Sequence, residues 1–308
     1  MSRHPFTLIL ISAWNDSGGG FLHRLFDGHP DCFVYPFELQ LGTTLLHDGF
    51  DSWFRAKYRW PLLPADLAAS APDALFELFI DDEVKSYLRG REASKFGAFD
   101  LQLAPEDWRR EFRARLPGTA RTPEVVIAAY VQGLFAAWCN RRASGRERVH
   151  VGHCPVIVLD ADRLLIECAG ARLIHVVRRP TTGFVDMRRR VPEVEAASYG
   201  RKWSLINMLG FYFTEKYPDR VTTVRLDRLI DDRGAELRRL CDWLGLAYDA
   251  VLEVPTWNGE PLARLGPFGG VPVVSAAHER ECEESLSFAD RAVIEEETSV
   301  VRALYGFK

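Results

Sequence analysis

The feature that most constrains this chain is a short apolar run ending in a glycine-rich turn. Thr7-Leu8-Ile9-Leu10-Ile11-Ser12 is almost continuously aliphatic, the pattern of a strand covered on both faces, as in a parallel sheet. Asn15-Asp16-Ser17-Gly18-Gly19-Gly20 follows. Phe21, Leu22, Leu25 and Phe26 then recur at helical spacing until Asp27-Gly28-His29-Pro30 stops them. Strand, glycines and helix start form a physical recipe for holding an anion. Glycine lets the backbone turn tightly and approach a ligand, and the first N–H groups of the helix point outward at the positive end of its dipole. The expected cradle is the backbone of Ser17, Gly18, Gly19, Gly20, Phe21 and Leu22. The lysine of the G-x-x-x-x-G-K-[ST] loop is missing, which argues against a nucleotide triphosphatase or kinase of that class. On its own the turn is equally compatible with a plain strand-to-helix connection.

The rest of the chain repeats the alternation. Cys32-Phe33-Val34-Tyr35 reads as a second strand ending at Pro36. Strand patterns recur at Val149–Val151, Arg172–Val177 and Val221–Leu226, and helix patterns at Asp160–Ala169, Thr182–Arg190, Ala196–Lys216 and Gly234–Leu244. This predicts an α/β fold, a parallel sheet flanked by helices with right-handed crossovers and a ligand site beyond the C-terminal strand ends. Residues from about 45 to 145 read as a helical insertion over that sheet, so residues 1–308 are expected to form one domain.

Bulk properties narrow the function. The net charge is −4 over 308 residues. A protein that grips a polynucleotide through its phosphates needs a strong basic excess, so a small anionic ligand fits better than nucleic acid. No run approaches the roughly 20 apolar residues of a membrane helix, and Met1 to Pro5 with the short apolar run after it is too brief for a signal peptide. The six cysteines contain no C-x-x-C pair, so neither a metal site nor a disulfide framework is expected. These readings point to a cytoplasmic protein with buried free thiols, no metal and no membrane partner.

Three separated segments, read in order, narrow it further. Ser17-Gly18-Gly19-Gly20-Phe21-Leu22-His23-Arg24-Leu25-Phe26-Asp27-Gly28-His29-Pro30 resembles the sulfotransferase opening S-G-T-T-L-L-x-x-L-L-x-x-H-P, with Glu38 following. Ala171 to Pro180 resembles that family's strand plus R-D-P element, and Tyr217 to Leu229 its Y-P-x-R-x-x-x-V-R-Y-E-D-L strand. Leu240 to Leu246, Pro255 to Gly259 and Gly266-Pro267-Phe268 resemble later family elements. The set resembles the carbohydrate and tyrosylprotein branch more than the small-phenol branch.

The resemblance implies a sulfotransferase fold and transfer of a sulfuryl group from 3′-phosphoadenosine 5′-phosphosulfate (PAPS) to a hydroxyl or amine of a small-molecule or carbohydrate acceptor. Glu38 would be the general base. His153, in Gly152-His153-Cys154-Pro155, stands where the family has the lysine of G-x-K-x-P. Arg178, Asp186 and Arg190 fall at the family's 3′-phosphate positions. If the strands bearing Glu38 and His153 both neighbour the first strand, the two side chains face the pocket from opposite sides. His29, His175, Trp203 and Asn207 are expected to be structural. The sequence also departs from the family. Asp16 replaces a basic residue, Gly19 and Gly20 replace two threonines, Asp186 replaces a serine and Leu226 a tyrosine. A carboxylate beside a phosphate is repulsive, so Asp16 and Asp186 must be paired with arginines, turned away, or matched to a different donor. A non-catalytic binding protein and a transferase with another nucleotide donor are the two alternative readings.

Overall fold

The computed structural model describes residues 6–42, 50, 53–90, 101–262 and 274–307. Five strands, β1 (Leu8–Ala13), β2 (Cys32–Glu38), β3 (Val149–His153), β4 (Ala171–Val177) and β5 (Val221–Arg225), form one sheet in the order β2-β3-β1-β4-β5. Every pairing in it is parallel. β1 is buried at all six positions. Its alternate residues serve two cores. Ile9 and Ile11 pack with Phe21, Leu22, Leu25, Leu237 and Leu240. Leu8 and Leu10 belong to the opposite cluster with Phe76, Trp108, Tyr130 and Trp203. The two-residue side-chain period of a strand therefore accounts for a helix layer on each face.

The β2 strand does not stop at Pro36. It runs to Glu38, with a register shift between Val34 and Glu38 against β3. Proline cannot donate to a ladder and is tolerated on an edge strand or at a bulge, and Pro36 has both. The bulge turns the Pro36 carbonyl inward, where it accepts from Arg24 Nη2 at 2.8 Å and from the Trp257 indole N–H. It also brings Glu38 into register with His153. β2 pairs with β3 and not with β1, so the two residues are neighbours on adjacent strands and do not face each other across the pocket.

The described part of the segment from 45 to 145 carries four α-helices joined by turns and coil: α2 (Pro72–Phe79), α3 (Asp82–Arg89), α4 (Pro105–Arg115) and α5 (Pro123–Ala137) follow α1 (Gly19–Leu25). Pro72, Pro105 and Pro123 are the first residues of their helices, where the missing N–H costs nothing. The hydrophobic cluster is continuous from these helices to the sheet. Next come α6 (Ala161–Glu167), α7 (Pro180–Arg190) and α8 (Ala196–Lys216), then α9 (Leu226–Asp231) and α10 (Arg233–Leu244). Leu226 starts a helix and does not end a strand. Two further helices, α11 (Ala276–Ser285) and α12 (Phe288–Leu304), pack on α7 and α8; no sequence pattern above announced them. Gly266-Pro267-Phe268 lies outside the described residues. Among the described residues, no helix is long and apolar enough to cross a membrane. All six cysteines are free, and Cys139 is exposed where a buried thiol was expected.

Candidate active site

The loop after β1 is wound for close approach. Asp16 has φ 58° and Gly18 φ 88°, so two left-handed residues in three turn the chain back into α1. Asp tolerates that region better than most side chains. Ser17 N–H donates to Trp14 O at 3.1 Å and Leu22 N–H to Gly18 O at 3.0 Å. Leu22 therefore leaves the expected cradle. The N–H groups of Gly18, Gly19, Gly20 and Phe21 have no intrahelical acceptor, as at any helix start. Beside them Ser17 is 1% exposed and its hydroxyl has no hydrogen-bond partner.

The glycines make room for particular neighbours. A Cβ on Gly19 would stand 2.6 Å from His153 Nε2 and 2.7 Å from Ala13 Cβ, and one on Gly18 2.6 Å from Leu226 Cδ1. The family's threonine cannot occupy position 19 while His153 is where it is. At Gly20 the nearest atom is His153 Nδ1 at 3.8 Å, ordinary contact distance. Gly19→Ala is therefore expected to cost about 1–3 kcal/mol through overpacking. Gly20→Ala should be neutral, or stabilising by up to about 1 kcal/mol through helix propensity. Urea denaturation of the two variants checks the contrast; equal midpoints would contradict it.

Loop, Glu38 and His153 line one cavity of about 350 Å³ that also reaches Trp14, Asp16, Arg178, Asp186, Arg190, Leu226, His278 and Glu279. His153 is 8% exposed. Glu38 is half-buried, and its Oε2 accepts from Tyr58 O–H at 2.5 Å. Beneath them His23 is buried, and burial holds its pKa well below the ordinary imidazole value.

The opposite end of the cavity differs from expectation. Arg178 and Arg190 both line the cavity, but both also reach Asp16. Arg178 Nη1 donates to the Asp16 carbonyl at 2.6 Å, and Arg190 Nη2 pairs with its carboxylate at 2.8 Å. Arg178 also pairs with Asp186 at 2.6 Å and Glu279 at 2.5 Å. Burial works against the Arg178 charge, but Glu279 and Asp186 outweigh it and raise its pKa. Burial likewise opposes the Asp186 charge, yet Arg178 and His278 hold that carboxyl below the usual carboxylate range. For Asp16 burial dominates, and Arg190 only partly offsets the upward shift. α11 supplies the residues that the sequence reading missed. His278 Nε2 meets Asp186 Oδ2 at 2.9 Å, and Cys282 Sγ lies 3.5 Å from both Asp186 Oδ1 and His278 Nε2. These three ligand atoms lie within 4.8 Å of one another, a spacing a metal could use. Arg178 and Arg189 already crowd the same atoms, with Arg178 Nη2 and Arg189 Nη1 at 4.0 and 3.9 Å from Cys282 Sγ. A cation there would sit against two guanidinium groups.

The structural histidines are placed as expected. His29 Nε2 meets Ala247 O at 2.9 Å, and His175 Nε2 meets Asn207 Oδ1 at 2.9 Å. Trp203 is buried, with its indole N–H on Arg178 O at 3.0 Å.

A family model described as the sulfotransferase family matches residues 40–250. The chain belongs to the sulfotransferase family. It is an enzyme of that family, and its parallel sheet flanked by helices is the sulfotransferase fold. A solved structure, the sulfotransferase domain from the Synechococcus PCC 7002 olefin synthase, is similar in fold at TM-score 0.55 and 17% identity, over 100% of this chain and 98% of that one. The sulfotransferase domain from the curacin biosynthetic pathway aligns at TM-score 0.48 and 15% identity, over 100% and 99%. No curated protein matches the chain in sequence. The family match begins after Glu38, so in this sulfotransferase the glycine loop and Glu38 stand on their geometry. PAPS, the donor implied by resemblance, fits this site in one half. The orphaned Ser17 hydroxyl and the outward N–H groups suit the phosphosulfate. The 3′-phosphate half does not fit, because Asp186 and Glu279 already occupy Arg178.

Proposed function

We propose that this sulfotransferase moves a sulfuryl group from a nucleotide 5′-phosphosulfate of the PAPS type onto a hydroxyl or amine of a small-molecule or carbohydrate acceptor. The observation that supports this best is the shared cavity. An anion cradle with an unsatisfied Ser17 hydroxyl opens onto Glu38 and His153, which are register partners on adjacent strands. The donor brings an activated sulfur–oxygen bond; the chain's part is to hold and orient. The amides of Gly18 to Phe21 and the Ser17 hydroxyl bind the phosphate. His153, packed against Gly19, stabilises charge on the bridging oxygen. Glu38 takes the acceptor's proton as the new sulfur–oxygen or sulfur–nitrogen bond forms and the bond to the phosphate oxygen breaks. The nucleotide then leaves with the charge the cradle has been holding. Such catalysis is positioning plus electrostatics with one general base. Tyr58, bonded to Glu38, and Trp14, packed edge-on against Phe54 at 5.6 Å, support an acceptor that enters along the start of the helical segment.

The test is a thermal shift with a panel of nucleotides. A ligand bound to the folded state at a hundred times its Kd stabilises by about 2.7 kcal/mol, so 5′-phosphorylated nucleosides are expected to raise Tm. Ser17→Ala should lessen the shift. A panel in which no nucleotide moves Tm would remove the donor site and this function with it.

A further inference from the structure

The two ends of the cavity have different chemistry, and the difference bears on which donor it takes. At one end are Glu38 and His153. At the other, Arg178 and Arg190 face Asp16, Asp186 and Glu279, two guanidinium groups against three carboxylates. With the phosphate of a donor on the glycine loop and its sulfuryl group toward Glu38, the sugar is what extends the other way. Arg178 is bonded to the carbonyl of Asp16 in that same loop, 2.6 Å away, so its surroundings are the wall the sugar reaches.

That wall sets carboxylates against a second phosphate, with Asp186 and Glu279 lining the cavity beside Arg178. Arg178 has a side chain 5% exposed; its two terminal nitrogens are committed to Asp16, Asp186 and Glu279, and its Nε, which has no hydrogen-bond partner, is buried. The carboxylates are fixed as well. Glu279 is held through Oε1 by Arg178 and through Oε2 by Thr182 O–H at 2.7 Å. Asp186 is held by Arg178 and His278. An arginine with free donors reads a phosphate, whereas a carboxylate reads a sugar hydroxyl; dinucleotide-binding folds use that exchange to tell the two apart. Resting on the donor reading above, we infer that this end of the site selects a sugar whose 3′-hydroxyl is not phosphorylated. The donor is then a nucleoside 5′-phosphosulfate, with Asp186 and Glu279 as specificity-determining residues that reject the 3′-phosphate of PAPS.

The experiment compares two probes that differ only in that phosphate, adenosine 5′-monophosphate and 3′-phosphoadenosine 5′-phosphate, by isothermal titration of the full-length protein. The monophosphate is expected to bind at least tenfold more tightly. In Asp186→Ser/Glu279→Gln, which frees Arg178 and removes two charges, the preference should shrink at least tenfold or reverse. Equal or tighter binding of the bisphosphate by the unaltered protein overturns the inference while leaving the donor reading intact, and needs no variant to fold. Binding of neither probe overturns both.

Discussion

Glu38→Gln is expected to lower turnover by about 10²–10⁴-fold, the usual worth of a positioned general base. Nucleotide affinity should stay within about twofold. The substitution keeps the side chain's shape, and its amide oxygen can still accept from Tyr58 O–H, now 2.5 Å from Glu38 Oε2. What it loses is the ability to take a proton from the acceptor. Turnover is measured on whichever hydroxyl or amine gives the fastest wild-type transfer, with nucleotide binding followed by titration. Tyr58→Phe is the companion variant. It removes the hydrogen bond but leaves the carboxylate, so it should keep turnover within about tenfold of wild type. Loss of activity and of nucleotide binding together in Glu38→Gln would make Glu38 part of the donor site. Full activity would move the base elsewhere on the cavity wall. A general base lost without a change in binding lowers kcat and kcat/KM together.

Local chemistry made much of this arrangement legible. β1, the glycine turn and α1 follow from an apolar run, a turn composition and a helical period lying next to each other in the chain, and the structure has them within a residue or two of the expected bounds. Glu38 was harder. Its partnership with His153 depends on β2 continuing through Pro36, and a strand pattern broken by proline reads as an ending. The bulge that resolves the conflict is stabilised by Arg24 and Trp257, whose contacts with Pro36 span 12 and 221 residues. No local pattern encodes that.

The far end of the cavity was legible only as a conflict. Asp16 and Asp186 were visibly wrong for a phosphate site, but their sequence neighbours do not say what offsets them. Arg190 pairs with Asp16 and Arg178 with Asp186, the arginine pairing the sequence left open; the rest lies in α11, whose start is marked by Ser275 accepting from His278 N–H at 3.2 Å. A cap shows where a helix begins and nothing of where it docks. His278 and Glu279 meet Asp186 and Thr182 across 92 and 97 residues. Asp16 and Asp186 thus belong to an internal salt-bridge cluster that engages both terminal nitrogens of Arg178.

A second large effect is expected far from the reacting atoms, at Asp160. Asp160→Ala should destabilise the fold by about 3–5 kcal/mol, the cost of breaking a buried ion pair from one side. Asp160 is 5% exposed. Its Oδ2 accepts from Arg59 Nε at 2.7 Å and from Trp60 N–H at 2.8 Å, and its Oδ1 from Arg59 Nη2 at 2.8 Å. Arg59 is 3% exposed, so the substitution removes two hydrogen bonds and the Asp160 charge from a dry guanidinium and opens a small void. Asp160→Asn retains the volume and one acceptor and should cost less. Urea denaturation at unchanged m-value reads the difference. A double-mutant cycle with Arg59→Met should be strongly non-additive, because removing both charges ends the desolvation cost. A loss under about 1 kcal/mol in Asp160→Ala, or additive effects, would show that the pair is dispensable. The Arg59–Asp160 pair ties the turn after β3 to the residue following Tyr58, and Tyr58 bonds Glu38. At temperatures where Asp160→Ala is still folded, its turnover should therefore fall more than its nucleotide affinity, as it does for Glu38→Gln but by a smaller factor.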